Sequence, residues 1–85
     1  MKEWRTIKRD IQDAMSHVES NIEYDGPHGG QCSAFTVTVY DEDYDPDDFY
    51  NDLEDVSNEW NLSIDDWYHG DDDNLCVDLY AYWDD

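Results

Sequence analysis

Apolar residues recur along this chain in two rhythms, every three or four residues in two stretches and every second residue in three others. Trp4, Ile7, Ile11, Ala14 and Val18 are spaced three, four, three and four apart, and Ile22 continues the line. That spacing predicts an amphipathic helix from about Lys2 to about Ile22, with Arg5, Arg9, Asp13, Ser16 and Ser20 on its far side. The run Asp-Gly-Pro-His-Gly-Gly at 25–30 concentrates helix breakers and reads as a flexible turn. It lacks the Gly-Lys-Ser or Gly-Lys-Thr of a phosphate-cradling loop.

From 32 to 40 the rhythm changes to two. Phe35, Val37 and Val39 alternate with Ala34, Thr36, Thr38 and Tyr40, and the β-branched content predicts a strand. An acidic loop at 41–44 follows. Asp45 before Pro46 then reads as an N-cap with proline at the first helical position. Phe49, Leu53, Val56 and Trp60 form the apolar stripe of a second helix that ends near Asn61. Leu62, Ile64 and Asp66 alternate with Ser63, Asp65 and Trp67 as a second strand. The run 69–74 reads as a hairpin connection, and 75–83 alternates Leu75, Val77, Leu79, Ala81 and Trp83 against Cys76, Asp78, Tyr80 and Tyr82.

These elements predict one α+β domain over 1–85 in the order α-β-α-β-β: a three-stranded, mostly antiparallel sheet with two helices on one face. Phe35, Val37, Val39, Leu62, Ile64, Leu75, Val77, Leu79 and Ala81 would face the helices. Thr36, Thr38, Tyr40, Asp65, Trp67, Asp78, Tyr80 and Tyr82 would lie on the open face. So aromatic a face suits a contact surface, a homodimer included.

Charge changes the picture most. The chain has 24 acidic and 4 basic residues, a formal net charge of −20. The bases are Lys2, Arg5, Lys8 and Arg9, and none follows Asp10. Such a field excludes nucleic acid and anionic membrane as direct partners and favours encounter with a basic protein. With 4 Trp, 7 Tyr and 2 Phe the chain is unlike a disordered acidic tail, which is poor in aromatics. The N-terminus has no apolar secretory core and no run is long enough to span a membrane, so a cytoplasmic location is expected. Cys32 and Cys76 are then expected as two buried thiols rather than a disulfide.

Catalytic signals are weak, and the sequence implies a non-enzyme with no cofactor. The two cysteines and His17, His28 and His69 have no metal-ligand spacing, and no nucleophile elbow appears. Asp41, Asp43, Asp45, Asp47 and Asp52 stand at positions one, three, five, seven and twelve of an EF-hand-like loop. Pro46 takes the place of its glycine and Asp52 that of its bidentate glutamate, so these residues read better as a cap and first turn, and no metal site is assigned.

What remains is the pattern of carboxylates. Asp45, Asp48, Asp52, Asp55 and Glu59 form a row along the second helix, beside its apolar stripe and with no lysine or arginine to neutralise it. Each like-charge pair at this spacing costs ~0.2–0.5 kcal/mol. A row of acids every ~5 Å, with further clusters at Asp41, Glu42, Asp43, Asp47 and at Asp71, Asp72, Asp73, imitates the phosphates of a nucleic acid. Tyr44, Tyr50, Trp67 and Tyr68, with Tyr80 and Tyr82, would add apolar anchors.

In size, charge, aromatic content and this row, the whole chain resembles the small acidic DNA-mimic proteins. Many of these are encoded by phages and mobile elements, anti-restriction and anti-CRISPR inhibitors among them. The resemblance implies stoichiometric inhibition of a nucleic-acid-binding nuclease or effector complex of the host, in the host cytoplasm. Two other readings stay open: an acidic adaptor or chaperone-like module for a basic protein without mimicry, and a haloadapted domain of unrelated function. On the mimic reading, replacing Asp48, Asp52 and Asp55 together by Asn removes binding and leaves the fold as stable or more so.

Overall fold

The computed structural model describes residues 4–28 and 32–82. Lys2 and Glu3 of the expected first helix, Gly29 and Gly30 of the expected turn, and Trp83 of the expected last strand lie outside them. In chain order the elements are helix α1 (Trp4–Ala14), strands β1 (Ser20–His28) and β2 (Cys32–Val39), helices α2 (Pro46–Asp52) and α3 (Glu54–Trp60), and strands β3 (Leu62–Ile64), β4 (Tyr68–His69) and β5 (Leu75–Tyr82). The sheet is antiparallel and five-stranded, in the order β1-β2-β5-β3, with β4 pairing the same edge of β5 as β3.

This corrects the expected three-stranded sheet under two helices, and the difference begins at residue 15. The first helix ends at Ala14, where Ser16 Oγ bonds the Asp13 carbonyl at 2.8 Å and residues 15–18 close as turns. A serine that returns to the backbone in this way competes with the helical ladder. Ile22 belongs not to the helix but to β1, which pairs with β2 from Ser20↔Val39 to His28↔Cys32. The glycine-proline segment is part of that strand. Its register shifts by one residue between Tyr24 and Gly26, and Gly26 sits at φ +89°. The breaker thus supplies a β-bulge, with Asp25 as the extra residue.

The second helix is two. Asp45 caps α2 with an Oδ1···H–N bond to Asp47 at 3.0 Å, and Pro46 opens its first turn. Leu53 leaves helical geometry (φ −95°, ψ 0°), although its N–H still bonds the Phe49 carbonyl and its own carbonyl accepts from Ser57. The ladder therefore bends without being lost, and Phe49, Leu53 and Val56 all stay buried. Asn61 in the left-handed region ends α3.

The second expected strand is interrupted. Ile64 pairs with Leu79 and Tyr68 with Cys76, so this edge advances four residues while β5 advances three. The extra residue reverses the alternation. Tyr68 takes the face expected for Trp67, and the Trp67 ring instead packs edge-on against His69, centroids 5.6 Å apart. Both edges of the sheet thus carry a one-residue irregularity, which blunts them against pairing with other chains.

One core lies between the sheet and the helices. Ile7, Ile11 and Met15 meet Phe49, Leu53 and Val56 over Phe35, Val37, Val39, Leu75, Val77, Leu79 and Ala81. Trp4 stacks on Tyr24 with centroids 4.1 Å apart. Cys32 and Cys76 are buried and not joined by a disulfide. Cys32 pairs across from Tyr82 and Cys76 from Thr38, six positions apart along the ladder, or ~20 Å at ~3.3 Å per residue.

Candidate functional site

The loop 41–45 is shaped by its own carboxylates. Asp41 Oδ1 accepts the Asp43 N–H at 3.0 Å, and the Tyr44 N–H reaches the Asp41 carbonyl at 3.2 Å. The turn between β4 and β5 closes through Gly70 N–H to the Asn74 carbonyl and Asp73 N–H to the Gly70 carbonyl, both at 2.9 Å, with Asp73 at φ 63°. The fold brings these two distant acidic segments together at one end of the sheet. Asp41, Glu42, Asp72 and Asp73, with Tyr40, Tyr44 and His69, line an open hollow of about 480 Å³. Asp43, Asp45, Asp47 and Asp71 are exposed beside it in sequence.

A second hollow, about 440 Å³, lies between α1 and the α2–α3 pair. Its walls are Asp10, Asp13, Asp52, Asp55 and Glu59, with Ala14 and Val56 as apolar lining. Neither hollow resembles an enclosed, largely apolar small-molecule pocket. The helix row expected from sequence thus divides. Asp52, Asp55 and Glu59 share the groove, Asp45 is the cap of α2, and Asp48 lies close enough to Tyr44 to raise the cost of ionising it. Asp10 and Asp13 complete the groove and were not expected there. Their signal in the sequence is a spacing of three, next to Ala14 at the margin of the apolar stripe.

Two of these carboxylates also hold the structure. Asp52 Oδ2 accepts from Tyr44 Oη at 2.8 Å and lies 2.9 Å from His17 Nε2. Asp10 Oδ2 accepts the Trp60 indole N–H at 2.7 Å. Tyr44 is half-buried edge-on against Phe49, so it pins the loop to the core. Burial first, then the hydrogen bond to Asp52 and the charges of Asp52 and Asp48, raise its pKa well above the ordinary tyrosine range. Tyr50 is exposed on α2. Trp67 lies by His69 and Tyr68 on the opposite face of the sheet, so the structure does not gather the four expected aromatic anchors into one patch.

Among the described residues no group of three or more His, Cys, Asp or Glu side chains has the geometry to hold a metal ion. No helix there is long and apolar enough to cross a membrane. No family model matches the chain, and comparison with curated proteins and with solved structures returns no significant match.

Proposed function

We propose that the protein is a nucleic-acid mimic that occupies the basic nucleic-acid site of a host enzyme, a restriction or CRISPR-type nuclease or effector, and inhibits it stoichiometrically without catalysis. It would act in the host cytoplasm. The observation that carries this reading is the density of charge on an ordered frame. The described residues extend 40 Å along their longest axis. Leaving out Lys2, Glu3, Asp84 and Asp85, the net charge of −20 becomes −18. That is one negative charge per ~2.2 Å, against ~1.7 Å of axis for duplex DNA. The two acidic hollows are joined through Tyr44, which lines one and bonds Asp52 in the other. A basic cleft would therefore meet a continuous acidic edge held by the core, with little ordering to do on binding.

Affinity capture from bacterial lysate, with and without competing duplex DNA, tests the reading. One nucleic-acid enzyme should be retained and then released by DNA and by salt. Replacement of Asp48 and Asp55 by Asn together with Glu59 by Gln should weaken that capture by at least tenfold. Asp52 is left intact in this variant because it supports Tyr44 and His17. A partner that DNA does not displace would favour the adaptor reading instead.

A further inference from the structure

The face of the sheet turned away from the helices carries Tyr68, Tyr80 and Tyr82, expected from the sequence as anchors beside the acidic row, but neither acidic hollow includes them. A polar row crosses four strands there. Tyr68 Oη on β4 donates to Asp78 Oδ1 on β5 at 2.9 Å. Thr36 Oγ1 on β2 lies 3.1 Å from the same oxygen and also contacts Asp25 Oδ2 at the bulge of β1. The threonine hydroxyl has one proton, so it can donate to only one of the two carboxylates at a time. Acceptor capacity is left over on this face. Beside the row stand Tyr80 and Tyr82, ring centroids 6.5 Å apart, and Tyr82 and Tyr68 are 48% and 40% exposed. Among the described residues the helices all belong to the core on the other side, and on this face Tyr68 and Tyr82 stay exposed while Cys32, Ala34 and Cys76 are buried. Sheet faces are ordinarily covered by another layer, and an open aromatic one marks an interaction surface.

Charge decides the occupant. A second copy would set Asp25, Glu23 and Asp78 against their own images in a pair of chains each carrying −20, and nucleic acid or anionic lipid would meet the same repulsion. A cation is needed, and the surface suits one cation better than the other. A guanidinium is flat, stacks on tyrosine and presents a fork of N–H groups to carboxylates, whereas an ammonium is a strongly hydrated point charge. Asp78, Tyr80 and Tyr82 alternate along β5 on this face, at a repeat of ~6.6 Å that an extended partner strand shares.

We propose that the outer sheet face docks an extended segment of a basic partner protein with arginine at alternate positions, its guanidinium groups stacking on Tyr68 and Tyr82 and donating to Asp25 and Asp78. This surface is separate from the acidic edge, so it stands or falls independently of mimicry.

The test uses two synthetic peptides, one alternating arginine with threonine and the other lysine with threonine, titrated into the whole protein and followed by NMR. The arginine peptide should move the amide signals of β2 and β5 and the ring signals of Tyr68 and Tyr82. It should bind at least about fivefold more tightly than the lysine peptide, given two ring–cation contacts. Tyr68→Ser with Tyr82→Ser should abolish that preference, and Tyr82→Ser alone, at a site exposed enough to spare the fold, should reduce it. Tyr82→Phe should keep it, and the Asp48, Asp55, Glu59 triple variant should leave it unchanged. Equal affinities for the two peptides, or signals that move only at 41–48, 71–73 and α2–α3, would overturn the proposal. So would sedimentation showing a dimer whose contacts broaden the Tyr68 and Tyr82 signals.

Discussion

Two groups converge on Oδ2 of Asp52, the Tyr44 hydroxyl at 2.8 Å and the His17 ring at 2.9 Å. Against these bonds stands repulsion from Asp48 and Asp55, four and three residues away, a few tenths of a kcal/mol for each such pair. Hydrogen bonds to a charged group are worth ~1.5–3 kcal/mol when well shielded and less when half-exposed, so the bonds win. Asp52→Ala should therefore destabilise the protein by about 1 kcal/mol in urea denaturation, while Asp55→Asn on the same groove should be neutral or stabilising. The expectation that all three of Asp48, Asp52 and Asp55 can be neutralised without cost fails at this one residue, if that difference is measured. The tyrosines add a pH dependence of definite sign. Burial, the hydrogen bond to Asp78 and that carboxylate's charge push Tyr68 up to about 12, and Tyr44 is raised as well. Below pH ~10 the folded and unfolded chains both hold these protons. Above it the unfolded chain releases them first, so stability falls as pH rises from ~10 through 12. Phenolate absorbance followed beside circular dichroism should show the last tyrosines ionising together with unfolding.

At the level of elements, what could be read from the sequence depended on whether a local pattern had a competitor. β2 and β5 lie where strict alternation of β-branched and aromatic residues places them, because no helical reading fits Phe35-Thr-Val-Thr-Val39. Residues 18–24 fit two readings. Val18 and Ile22 continue a helical stripe, yet Ile22 and Tyr24 also alternate with Asn21 and Glu23, and eight paired positions along β2 settle the choice. Pairing of that kind is long-range and leaves no local mark. The acidic loops and the helix row were visible as composition. Their meeting at one end of the sheet, and the entry of Asp10 and Asp13 into the groove, came from topology. Gly26 tests the reassignment of its segment from turn to bulged strand. A Cβ there would meet nothing within 4 Å, so only the backbone at φ +89° resists substitution. Gly26→Ala should cost about 1–2 kcal/mol in chemical denaturation, the penalty of a left-handed residue. A neutral result would return the segment to a flexible turn.

For the molecule as a whole, charge and core pull in opposite directions, and salt separates the functional readings. A net charge of −18 on the described body of 40 × 25 × 19 Å repels itself, and the Debye length shortens from ~30 Å at 0.01 M salt to ~3 Å at 1 M. Screening should therefore raise the melting temperature steadily with added salt. The starting point matters more. The core buries Phe35, Phe49, Ile7, Ile11, Met15, Leu53, Leu79, Val37, Val39 and Val77 almost completely, and that burial does not depend on salt, whereas the repulsion is spread over exposed carboxylates that water solvates. The protein should be folded and cooperative in ~0.01 M salt. Capture of a basic partner should run the other way and weaken as salt rises, because released counterions and screened charge act on the complex but not on the core. Thermal melts and partner capture over one salt series measure both slopes. Opposite signs are what a charged ligand for a basic cleft requires, whereas a chain that unfolds below ~0.1 M salt would be a haloadapted domain whose acids serve its own solvation.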